Sequence, residues 1–116
     1  MGIIKKVVER RKQFLAKHKK EATLFANKIA RILGEKFKAE KVILYGSLVK
    51  EDYFDYNSDI DLAVKGLGNN FFSAYGYCLG LGEFDIDIRD YDSMPEEFKE
   101  RVDREGIILY EREANS

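Results

Sequence analysis

Cysteine and histidine are almost missing from this 116-residue chain, with one of each, and tryptophan is absent. A single Cys78 cannot close an internal disulfide, and one His with one Cys cannot build a zinc cage. No apolar run approaches the ~20 residues that a membrane span requires. At the N-terminus, "MGIIKKVVERRKQF" puts charges where a secretory signal would have its apolar centre. The expectation is a protein of the reducing cytoplasm with no membrane attachment. Length and a hydrophobic content of 45% allow one domain with one modest core. Internal repeats and low-complexity stretches are also absent.

Each half of the chain is short of one sign of charge. Residues 1–50 hold only 4 Asp+Glu against 14 Lys+Arg, and residues 51–116 only 6 Lys+Arg against 17 Asp+Glu. The resulting +10 and −11 sum to −1. Few aromatics interleave the lysines of the first half, as base-stacking platforms would need, so it reads as a solvated basic helix rather than a nucleic-acid surface. The acidic half is the candidate for binding a cation.

Ile4, Val8, Leu15, Ala22, Phe25, Ile29 and Leu33 recur at steps of three, four or seven. They predict one long helix, or two joined near His18–Glu21, over about Ile3 to Phe37. Arg11 and His18 break the heptad register, which favours packing on the chain's own domain over a coiled coil; a homo-oligomeric seam stays open. His18 has no ligand or nucleophile near it in sequence and receives no role.

"KVILYG" predicts a buried strand stopped by Gly46, and "DIDLAV" a second, with Ile60, Leu62 and Val64 on one face and Asp59, Asp61 and Ala63 on the other. "GLGNN" is a turn; a dinucleotide fingerprint fails because its third glycine would be Phe71. "FFSAYGYCLGLG" predicts a short helix whose Gly76 and Gly80 permit close packing. "EFDIDIRD" predicts a third strand with Phe84, Ile86 and Ile88 inward and Asp85, Asp87 and Arg89 outward. "SMPEEFKERVDREG" is a helix with a Ser93–Glu96 capping box, Pro95 in its first turn and Gly106 at its stop. "IILYE" closes as a fourth strand. The alternation implies an α/β (α+β) two-layer domain, a small mixed β-sheet packed with helices behind a long N-terminal helix.

A lone Asp-x-Asp is what any half-solvated strand shows. Here two separate strands each carry Asp-Ile-Asp, and like charges facing one another in a sheet are destabilising. A divalent cation would remove the repulsion. Residues i and i+2 lie ~6.6 Å apart on one face of a strand, close enough for their carboxylates to share an ion or bridge two. Oxygen ligands without His or Cys favour Mg²⁺ or Mn²⁺. Gly46 lets the backbone approach a ligand closely, and "SLVK" is read as the start of a short helix with Ser47 at its head, an anion-binding arrangement.

Gly46-Ser47, a loop, then Asp59-Ile60-Asp61, followed by "FDIDI" and "MPEEFKERVDREGIILY", resembles the minimal nucleotidyltransferases of the DNA polymerase β-like superfamily. The resemblance spans roughly residues 22 to 110. It divides the chain into a helical extension, 1–21, and a minimal nucleotidyltransferase domain, 22–116. It implies that Gly46 and Ser47 bind the nucleotide, and that Asp59, Asp61 and Asp87 are catalytic and hold two Mg²⁺ ions. Asp87 is preferred to Asp85 for its distance to Pro95. Relatives carry an arginine-containing turn after Gly-Ser; this chain has "LVKE", with Lys50 in the arginine's place, and an aromatic loop "EDYFDY" follows. The implied reaction transfers AMP from ATP to an acceptor hydroxyl. Free-standing members resembling this chain are typically antitoxins that adenylylate a tyrosine of a HEPN-domain toxin. A contact-only antitoxin and transfer to a small molecule are the alternatives, though relatives acting on small molecules carry an additional domain for the acceptor.

Overall fold

The computed structural model describes residues 2–50 and 58–113, with side chains at residue 10 and from residue 13 onward. The aromatic loop at 51–56 lies outside the described residues. A single 34-residue helix, α1 (Gly2–Glu35), opens the chain without a break near His18. Its buried face is Ala22, Phe25, Ala26, Ile29, Ala30 and Leu33, the three-and-four spacing that lays one stripe on a sheet. Gly34 ends that stripe against Tyr110, whose ring lies where a β-carbon on Gly34 would sit.

Strands β1 (Lys41–Tyr45), β2 (Ile60–Lys65), β3 (Ile86–Asp90) and β4 (Ile107–Glu111) form one sheet in the order β3-β2-β1-β4. β1 is antiparallel to both β2 and β4, while β2 and β3 run parallel, so the sheet is mixed as expected. Alternation sorts the side chains. Val42, Leu44, Ile60, Leu62, Val64, Ile86 and Ile88 face α1 and α2 (Phe71–Leu79), where the main core sits. Ile43 and Ala63 face the other way and are covered by Met94 and by Val102 of α3 (Glu96–Glu105), with Tyr45, Tyr91 and Phe98 packed around them. The second face is thus closed at one end and open at the other.

Three local expectations are corrected. Ser93 does not cap α3: its hydroxyl donates to Asp90 Oδ2 at 2.8 Å, serving the turn Tyr91–Ser93, and Pro95 precedes the helix with no side-chain cap. Phe84 lies before β3 rather than within it, although it packs against the main core as expected, its ring beside those of Phe25 and His18. Gly76 permits no close packing, since a β-carbon there would meet nothing within 4 Å.

Candidate active site

The open end of the second face is where the acidic residues gather. Parallel pairing sets Asp61 opposite Asp87, and antiparallel pairing sets Tyr45 opposite Asp61 on the other side. Asp59 immediately precedes β2 and shares the parity of Asp61. Asp61 and Asp87 are half-buried, while Asp59 is exposed. Asp85 is placed elsewhere. Its carbonyl accepts the Ile60 N–H at 2.9 Å, and its side chain lines a separate polar hollow with His18, Glu21, Ser58 and Glu83.

The chain leaves β1 through a 3-10 turn, Gly46–Leu48, closed by Val49 N–H donating to the Gly46 carbonyl at 3.2 Å. Leu48 anchors the turn in the main core. Gly46 adopts φ +80°, a left-handed conformation that side chains disfavour, and a β-carbon there would strike Asp61 Oδ2. Glycine therefore brings the turn backbone onto the carboxylate. The turn starts at Gly46 rather than at Ser47, and three residues of 3-10 helix contribute little dipole. Any anion affinity must come from backbone N–H groups and neighbouring cations. On the α3 side a cleft of about 150 Å³ lies between Tyr45, Gly46, Lys50, Phe98, Arg101 and Glu105, so Lys50 and Arg101 share a wall with the turn.

Electrostatics mark the same place. Asp61 is pushed up to about 6, first by burial, then by Asp87 and Asp59, with Arg89 opposing. Arg89 Nε donates to Asp87 Oδ2 at 3.0 Å, and its guanidinium stands 5.7 Å from the centre of the Phe98 ring. Tyr75, from α2, donates to the Ile86 carbonyl at 3.3 Å and lies 3.5 Å from Asp87 Oδ1. The Tyr45 hydroxyl is buried, has no hydrogen-bond partner among the described residues and is pushed up to about 12, chiefly by burial. The sequence put Arg89 on the acidic face but gave it no role. Tyr45 was readable as the strand residue before Gly46, whereas nothing local to Tyr75 points to Asp87.

Three carboxylates with no His or Cys suit a hard cation, and relief of the repulsion felt by Asp61 is what such an ion would bring. The donors are alike in kind and share a face. They are not closed into a cage, for among the described residues no three His, Cys, Asp or Glu side chains are gathered closely enough to hold an ion. A hollow of about 520 Å³ lies along α1 between Leu24 and Lys36, away from these carboxylates. No described helix is long and apolar enough to cross a membrane.

A small mixed sheet with a glycine turn at the end of one strand and in-register aspartates on the next two defines a nucleotidyltransferase-type domain. Residues 27–115 match the family described as Polymerase beta, Nucleotidyltransferase, and the chain belongs to that family. Among solved structures, a mutant of the toxin–antitoxin MntA–HpeT superposes with a TM-score of 0.60 at 22% identity, over 78% of this chain and 75% of that one. A putative nucleotidyltransferase from Sulfolobus solfataricus superposes with a TM-score of 0.54 at 24% identity, over 86% and 89%. At these identities the likeness is one of fold. No curated protein matches in sequence.

Proposed function

We propose that the chain transfers AMP from ATP to an acceptor hydroxyl and acts as the antitoxin of a HEPN-domain toxin whose tyrosine is the acceptor. The observation that carries this is the register of Asp61 with Asp87 beside Gly46. Asp59, Asp61 and Asp87 would hold two Mg²⁺ ions, with Mn²⁺ able to replace them. Divalent ions there supply charge neutralisation at the attacking and leaving oxygens of an in-line displacement. The chain's own residues do the positioning. Gly46 and Ser47 receive the triphosphate, with Lys50 and Arg101 neighbouring cations on the cleft wall, and Asp87 orients the acceptor hydroxyl or accepts its proton. The fold shared with the toxin–antitoxin MntA–HpeT supports a protein partner that presents the tyrosine.

The pairing of Asp87 with Arg89 at 3.0 Å favours a second reading, in which the acidic set is neutralised internally and the chain silences its partner by contact alone. Incubation with α-labelled ATP, Mg²⁺ and the toxin separates the two. Label on the toxin tyrosine, lost in Asp61→Ala, supports transfer. A stable unlabelled complex that survives Asp59→Asn/Asp61→Asn supports contact.

A further inference from the structure

Arg89 is a positive charge placed among three negative ones. It lies two residues beyond Asp87 on the same face of β3, reaches back to Asp87 Oδ2 at 3.0 Å, and also lowers the proton affinity of Asp61. Its far side is held too, since the guanidinium faces Phe98, whose ring stands edge-on to Tyr45 at 5.7 Å between centroids. The side chain is 56% exposed, so neither a deep pocket nor a buried pairing locks it in place. A guanidinium bound on one side to a carboxylate and on the other to an aromatic face keeps a resting position when the carboxylate is taken away.

We infer that Arg89 is an exchangeable counter-ion: it holds Asp87 in the metal-free protein and yields it to a divalent cation, withdrawing onto the Phe98 ring. The inference rests on the metal-binding reading of Asp59, Asp61 and Asp87 and adds a competitor to it. An ordered carboxylate cluster without a cation is costly, and Arg89 limits that cost before a metal arrives. The same pairing opposes the metal, because the Asp87–Arg89 bond must break for Asp87 to ligate. Removing Arg89 should therefore weaken the metal-free fold and strengthen metal binding. An exposed pair of this kind changes a binding constant by about two- to fivefold.

The test is Mn²⁺ titration of the full-length protein without nucleotide, read by thermal melting and by the electron paramagnetic resonance of free Mn²⁺. Arg89→Gln should melt lower than the parent without metal, gain more from Mn²⁺, and bind it about two- to fivefold more tightly. Arg89→Lys should fall between the two. In an Asp87→Asn background, Arg89→Gln should lose its effect on the metal-free melting temperature. Equal Mn²⁺ response in parent and Arg89→Gln overturns the exchange. Asp61→Asn separates this from the underlying reading. If Asp61→Asn abolishes the Mn²⁺ response while Arg89→Gln leaves it unchanged, only the exchange is wrong. If Asp61→Asn also responds like the parent, the metal site itself falls.

Discussion

Asp61 joins the proposed chemistry to the stability of the fold. Its carboxyl is raised from 3.8 to about 6, so the folded protein binds the proton more tightly than the unfolded chain does. Linkage then gives the sign: the fold is favoured by protonation below about pH 4, and that advantage is lost as pH rises through 6. At pH 7.5 the charged Asp61 is a burden. Asp61→Asn should stabilise the fold there by about 1 kcal/mol once solvent screening is allowed for, and so raise the melting temperature. The gain should vanish near pH 4, and Mg²⁺ should narrow it by stabilising the parent alone. Nucleotidyl transfer should fall at least about a hundredfold under the proposed role of Asp61 as a metal ligand, which acts on transition-state charge. A melting gain that is the same at pH 4 and pH 7.5 would contradict this account. Gly46→Ala tests the neighbouring contact. It imposes a left-handed backbone on alanine, costing about 1–3 kcal/mol, and drives the methyl into Asp61 Oδ2. In an Asp61→Ala background the collision disappears but the backbone strain remains. Chemical denaturation should therefore show a smaller, non-zero cost in the double variant.

At the level of elements, helix α1 and the strand cores were legible because period and alternation report burial directly. Ile60, Leu62 and Val64 are all fully buried, as their spacing required. The acidic face was legible for the same reason, since Asp59, Asp61 and Asp87 alternate against core residues. Element ends were less so. Ser93 has the spacing of a capping box, yet Asp90 claims its hydroxyl, a competition between two local bonds that sequence leaves open. Tyr75 beside Asp87, and Arg101 beside the Gly46 turn, depend on how α2 and α3 are set against the sheet. No local pattern encodes that. Gly34 shows a tertiary contact overriding propensity. Alanine in a helix is worth about 1 kcal/mol over glycine. Here its methyl would displace the Tyr110 ring, which packs against the main core from β4. Lost packing of an aromatic side chain of this kind outweighs the helical gain, with overpacking typically costing about 1–3 kcal/mol. Gly34→Ala should be net destabilising by about 1 kcal/mol in denaturant, and stabilising once Tyr110→Ala removes the obstacle. The same sign in both backgrounds would mean that the ring does not hold this position.

For the whole molecule, shape and charge diverge along one axis. The longest extent is 58 Å, and 34 residues of helix supply roughly 51 Å of it. Among the described residues the buried stripe of the helix runs from Ala22 to Leu33, and further out the His18 ring packs on Phe84. Phe14 is 59% exposed. Residues 1–17 carry six Lys+Arg and one Glu, so the stretch ahead of the core is basic where the rest of the chain is acidic. A basic helical stretch ahead of the described core has the charge to dock on an acidic partner surface. Deleting residues 1–17 leaves the buried stripe from Ala22 to Leu33 intact and should shift the melting temperature by only a few degrees. Affinity for the proposed toxin should drop at least about tenfold, and the parent complex should weaken with added salt more steeply than the truncated one, as screening of exposed charges requires. Transfer to saturating toxin should persist, since the truncation leaves Gly46, Asp61 and Asp87 in place. If calorimetry found the two affinities equal, the toxin would have to sit elsewhere, and Glu83 and Asp85 of the polar hollow would become the residues to alter next.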